Sequence, residues 1–205
     1  MSKTYIILAI VLLTLAGGLI FLPKTNRSNE ISPKTLAKEI NDPARFLSVD
    51  NIAARMINED PSFLVVDVRS AEEFDLFTLP NALSVPLHDI ANPDWEDYLN
   101  QEEMDVIFFS NGDLYADQAW ILCARKGFKN LYVMEGGLNQ WFSNIMQPTA
   151  PPETAPSEEF DLYAFRQGAS LYFSGGSIEV ESLATKTEPV KLIKREKKTT
   201  TAGGC

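Results

Sequence analysis

Residues 63–74 read Phe-Leu-Val-Val-Asp-Val-Arg-Ser-Ala-Glu-Glu-Phe, and this stretch decides the fold. Phe63 to Val68 is a short apolar run rich in β-branched residues, the pattern of a strand buried on both faces of a parallel sheet. Asp67 and Arg69 close it with opposite charges, which at the end of a buried strand reads as an ion pair or cap. Outward from this segment, Ala82 to Val85, Val106 to Phe109 and Leu131 to Met134 repeat the strand pattern. Helical patterns lie between them. Asp50 is read as the cap of a helix running to about Asn58, with Asp60-Pro61 after its end. Leu114 to Lys126 puts Ala116, Ala119, Trp120 and Cys123 on one helical face, and Gly127 closes it. Gly137 to Ile145 is read as a helix carrying Leu138, Trp141 and Phe142 inward. Asp94 to Glu103, with Trp95 and Tyr98, reads as an acidic surface helix and turn. Strands alternating with helices over 46–147 predict a small α/β domain, a central parallel sheet flanked by helices.

The flanks differ in character. Tyr5 to Leu22 is 18 consecutive residues without a charge, about 27 Å as a helix at ~1.5 Å per residue. The expectation is one N-terminal transmembrane helix, a single-pass anchor over 1–23 that meets the membrane through 5–22. A secretory signal peptide is the alternative, with Ala16-Gly17-Gly18 as its small residues. Lys3 lies on one side of the run, and Lys24, Arg27, Lys34 and Lys38 on the other, so the side holding the domain stays open. Residues 24–45 read as a linker and short helix. Residues 148–205 open with the proline-rich linker PTAPPETAPSEE. Phe160 to Phe173 is aromatic enough to pack back on the domain. Lys186 to Lys198 then holds six bases and two acids, net +4, in a mostly disordered tail or one lying on anionic lipid.

Composition narrows the function. The chain has 205 residues, 45% of them hydrophobic, which is enough for one ordinary core with flanking segments. Its net charge is −10, and residues 49–147 hold 17 acids against five bases, a net −12. No nucleic-acid partner is expected, because such a surface repels phosphates. Two cysteines, Cys123 and Cys205, and one histidine, His88, exclude a disulfide scaffold or a four-cysteine zinc site within one chain. Neither a metal nor a cofactor is expected.

Several segments together resemble a known family. Leu64-Val65-Val66-Asp67-Val68-Arg69 with Glu72-Glu73-Phe74 is similar to the signature strand of rhodanese-like (sulfurtransferase homology) domains. Phe77-Thr78-Leu79-Pro80-Asn81-Ala82 stands at the place of that family's G-H-I-P-G-A. Val106-Ile107-Phe108-Phe109 resembles the strand that delivers the active-site loop. Gly127-Phe128 through Val133, then Glu135-Gly136-Gly137-Leu138 and Trp141, resemble the closing segment. The likeness spans about 100 residues.

The resemblance implies an active-site loop at Ser110-Asn111-Gly112-Asp113-Leu114-Tyr115. Active members carry a cysteine at its start, whose persulfide is held by successive backbone N–H groups and a helix N-terminus. Here Ser110 stands at that position, Tyr115 replaces the common closing base, and Asp113 adds a negative charge. A serine hydroxyl forms no persulfide. The expected function is therefore a membrane-anchored, catalytically inactive binding or regulatory module, with a protein partner or small anion at 110–115. The alternative is a sulfurtransferase or persulfide carrier of the thiosulfate sulfurtransferase type that uses Cys205. Ser110 as a hydrolase nucleophile, with His88 as base and Asp89 or Asp67 as orienter, lacks a G-x-S-x-G elbow; the plainer reading makes Ser110 a helix cap. Cys123, on the apolar helix face, reads as a core thiol.

Overall fold

The structure is a computed structural model describing residues 3–20 and 30–175. Helix α1 (Lys3–Ile20) leads. Helix α2 (Pro33–Ile40) follows, capped by Ser32, whose hydroxyl accepts from the Thr35 N–H. Strand β1 (Phe46–Leu47) leads into α3 (Val49–Ile57). Then come β2 (Phe63–Asp67), α4 (Ala71–Leu76), β3 (Leu83–Ser84), a 3-10 turn at Pro93–Trp95 and α5 (Glu96–Leu99). Strand β4 (Asp105–Phe109), α6 (Asp113–Arg125), β5 (Leu131–Met134) and α7 (Gly137–Trp141) complete the sheet region. A π turn at Phe142–Met146 and helix α8 (Ser157–Phe173) follow.

The five strands form one sheet, ordered β1-β5-β4-β2-β3, and every pairing is parallel. Parallel neighbours need crossovers, and the helices supply them while covering both faces. Successive residues of β2 and β4 divide between two cores because side chains alternate along a strand. Val66 and Phe108 join Trp120, Cys123 and Val133 on one face. Val65, Ile107 and Phe109 join Trp141 and Ala169 on the other. Each fully buried side chain of this size contributes about 1.5–3 kcal/mol, so β2 and β4 anchor the structure.

Local capping differs from the expectation at α3. Ser48, not Asp50, is its N-cap, and the Ser48 hydroxyl accepts from the Asn51 N–H at 3.2 Å. Asp50 sits in the first turn, where its carboxylate takes two hydrogen bonds from Arg166 of α8, each 2.7 Å. That pair, buried Ala169 and the Trp141–Phe173 ring contact at 4.9 Å hold α8 on the domain. Phe142 is not inward. It lies 40% exposed against Phe77, with ring centroids 4.9 Å apart. A π turn begins at Phe142, and Ile145 within it is buried in the same core as Leu138 and Trp141.

The membrane expectation is corrected. Among the described residues, no helix is long and apolar enough to cross a membrane. The single-pass transmembrane assignment, the membrane location and the membrane partner through 5–22 therefore lose their structural basis. Residues 21–29, the basic segment Lys186 to Lys198, and Cys205 lie outside the described residues.

Candidate functional site

The carboxyl ends of β2 and β4 are neighbours in register, Asp67 opposite Phe109. Ligand sites in open parallel sheets form at such ends, and here the two following segments meet. Asp67 is wholly buried and Arg69 nearly so. The Arg69 guanidinium donates to both oxygens of Asp67, from Nε at 3.0 and 3.2 Å and from Nη2 at 2.6 Å. The Arg69 N–H adds a bond at 3.0 Å and the Thr78 hydroxyl one at 2.9 Å, so the buried carboxylate is fully supplied with donors. This is the strand-end ion pair expected from the sequence.

Arg69 extends the network into the loop. Its Nη2 donates to the Phe77 carbonyl at 2.5 Å and its Nη1 to Asn111 Oδ1 at 3.3 Å. The Asn111 amide in turn donates to Glu73 Oε1 at 2.7 Å. Glu73 also completes a capping box with Ser70 at the start of α4. The Asn111 bond first, then the Ser70 N–H and the nearby Arg69 charge, hold the Glu73 carboxyl below its ordinary range. Loop, α4 and β2 are thus one polar assembly.

Ser110 follows β4 and is 2% exposed. Its hydroxyl donates to the Gly112 carbonyl at 2.5 Å, folding the loop on itself. It does not cap α6; Gly112 holds the N-cap position and no side chain caps the helix. Asp113, expected to repel anions, is used internally and accepts the Gly136 N–H at 2.5 Å. The Leu138 and Asn139 N–H groups donate to the Ser110 and Asn111 carbonyls at 2.9 and 3.0 Å. Gly137, at φ +55°, permits this approach. A Cβ there would lie 2.5 Å from the Ser110 carbonyl oxygen and 2.8 Å from Gly112. The double glycine is therefore part of the loop's support, a role that its place in the closing motif did not disclose.

Leu114 and Tyr115 emerge from the loop 67% and 54% exposed. Tyr115 lines a cavity of ≈ 370 Å³ with Val68, Arg69, Ser70, Glu73 and His88. His88 is mostly exposed, 3.3 Å from the Asp89 carboxylate. Ser110 does not line this cavity. The hydrolase constellation of Ser110 with His88 and Asp89 or Asp67 is therefore not assembled: Ser110's proton is committed to a loop carbonyl, and Asp67 is committed to Arg69. Cys123 is fully buried, and burial pushes its thiol up to about 12. No cluster of metal-ligating side chains occurs among the described residues.

Comparison with known proteins places this geometry. A family described as rhodanese-like domain matches residues 49–144. The tRNA uridine(34) hydroxylase of Pelagibacter ubique is 28% identical over 131 residues, covering 62% of this chain and 36% of that protein. Its namesakes from Prochlorococcus marinus and Yersinia pestis are 25% and 28% identical over 130 and 116 residues, covering 60% and 54% of this chain and 40% and 32% of theirs. The chain spans little more than a third of the length of these curated relatives. Among solved structures, a rhodanese-like domain from Anabaena is 20% identical with a TM-score of 0.43, covering 55% of this chain and 88% of that one.

These relatives overturn the expected function. They bear an enzyme's name, so the catalytically inactive, membrane-anchored module is not supported, and neither is its alternative of a Cys205 sulfur carrier. The motif order, the parallel sheet and the matched segment agree on one assignment: residues 49–144 are a rhodanese-like domain.

Proposed function

We propose that this chain contributes a rhodanese-like domain to the enzymatic modification of uridine in tRNA, the activity for which its curated relatives are named. The observation that carries the reading is the 28% identity over 62% of the chain to a tRNA uridine(34) hydroxylase. The loop face adds physical support. Tyr115, Phe77 and Phe142 are exposed around it, with Leu76 and Leu114 beside them. Aromatic faces in such a position stack an unstacked base, at about 1–3 kcal/mol per base. The cavity between Tyr115 and His88 has room for a planar pyrimidine, and Arg69, Ser70 and Glu73 on its wall supply polar edges.

In this reading Ser110 occupies the place of the family's cysteine, and its hydroxyl shapes the loop that presents Tyr115. The domain's charge of −12 makes it a poor holder of phosphates. It receives the base, while the tRNA backbone is held by a partner or by another part of the assembly.

The test is nucleoside mass spectrometry of tRNA from cells with and without the gene. Loss of the hydroxylated uridine at position 34 on deletion, restored by the wild-type chain and less well by Tyr115→Ala, is the expected result. An unchanged nucleoside profile on deletion overturns the reading.

A further inference from the structure

A second cavity of ≈ 370 Å³ lies at the start of β2, about 13 Å along the strand from Asp67 and the loop. Met56 of α3, Phe63 of β2, Pro80, and Tyr172 and Phe173 of α8 build its apolar wall. Three of these five side chains are aromatic. Glu59, Asp60 and Asn81 are the polar residues of its lining. An apolar hollow of this size with a few polar groups is the form that small-ligand sites take.

The chain itself shows which charge this lining holds. The Arg55 guanidinium lies 4.4 Å from the Phe63 ring centroid and donates to Asp60 at 2.7 Å, so a ring and a carboxylate of the lining together bind a cation. Asp60 also accepts from the Ser62 N–H and hydroxyl, and Arg55 is shared with Asp105. Glu59 and Tyr172 are a second carboxylate and ring in the same lining. Among the described residues, the Glu59 carboxylate and the Tyr172 hydroxyl have no ion pair or hydrogen bond. Glu59 and Asn81 are both held in the left-handed backbone region, at φ +52° and +58°. Residues other than glycine stay there only where their surroundings over-determine them, so these two rim positions are fixed.

We propose that this cavity binds a small organic amine, a primary ammonium carried on a flat aromatic body. The body rests on the apolar wall of Met56, Phe63 and Phe173. The ammonium meets the Glu59 carboxylate beside the Tyr172 ring, and the Asn81 side-chain oxygen accepts a further N–H. A neutral ring of the same shape gains the wall but not the charge contact. An anion is repelled by Glu59 and Asp60. The site lies at the opposite end of β2 from the loop and does not depend on what the loop binds.

Methyl NMR of the full chain titrated with phenethylamine tests this, read at Met56 and Leu64, which both line the cavity. The expected result is a saturable shift of both methyl signals. Affinity is expected to fall about fivefold in Glu59→Gln and about fivefold in Tyr172→Ala, and to weaken as salt rises. Phenethyl alcohol, the same body without the charge, is expected to bind several-fold more weakly than the amine, and phenylacetate not to bind. The comparison of amine with alcohol uses the unaltered protein, so it decides the matter even where a variant is unstable. No saturable shift, equal affinity for amine and alcohol, an affinity unchanged in Glu59→Gln, or shifts confined to the loop around Tyr115 overturns the proposal.

Discussion

Arg69 Nη2 stands 2.6 Å from Asp67 Oδ2, and the two side chains are 6% and 0% exposed. A charge pair this deep is held by geometry, because each partner's desolvation is offset only while the other remains. Asp67→Ala leaves the guanidinium buried against Phe77 and Asn111 without its counter-charge. The expected loss is about 3–5 kcal/mol of unfolding free energy, measured by urea denaturation. A loss under about 1 kcal/mol would show that water reaches the pair.

Gly137 and Gly168 respond oppositely to alanine. At Gly137 the new Cβ meets the Ser110 carbonyl oxygen at 2.5 Å, and the φ of +55° is already unfavourable for an L side chain. Gly137→Ala is expected to cost about 1–3 kcal/mol. Gly168 lies within α8 with open space around it, so Gly168→Ala is expected to stabilise by up to about 1 kcal/mol. Thermal denaturation of the two variants side by side checks the contrast.

The Cys123 thiol, raised to about 12 by burial, remains protonated and enclosed at pH 8. Iodoacetamide labelling of the native protein, mapped by peptide mass, is expected to miss Cys123 and to reach it once denaturant is added. Labelling of Cys123 at equal rates in both states would mean that the α6 face opens readily.

Asp60 is lowered to about 2, first by the Ser62 hydroxyl and N–H and then by Arg55. Its pKa is depressed on folding, so the ionised form favours the native state. The resulting stability is fully present above the unfolded value near 3.8 and is lost as pH falls through about 2. Carboxyl NMR of Asp60 checks the midpoint. The acid limb of a pH–stability curve is expected to flatten in Asp60→Asn. An Asp60 midpoint near 3.8 would show the Ser62 bonds absent in solution.

Much of the fold was readable because the strands are short and buried on both faces. Leu131–Met134 forms as expected, and β2 and β4 differ from the expectation by one residue at one end. Ser48 went unread as a cap because Asp50 is an equally good capping residue and lies only two positions on. Phe142 went unread as exposed because its spacing from Leu138 puts it on the inward face of a regular helix, whereas in the fold its ring lies against Phe77. Cys123 was readable as a core thiol from helical spacing alone.

The loop's chemistry is a property of residue type: Ser110 carries a hydroxyl wherever it sits, and the acid excess of 49–147 holds in any conformation. The strand and helix periods are likewise local, so the sequence by itself determined the α/β class and the motifs of a rhodanese-like domain. Only the tertiary structure joined Arg69 to Asn111 across 42 positions and Asn111 to Glu73 across 38. It also placed Gly137 under the Ser110 carbonyl and set α8 beside the cavity at the far edge. The physical reason is that periodicity records which face of an element is buried, whereas strand order and register, decided by packing among distant segments, determine which side chains meet.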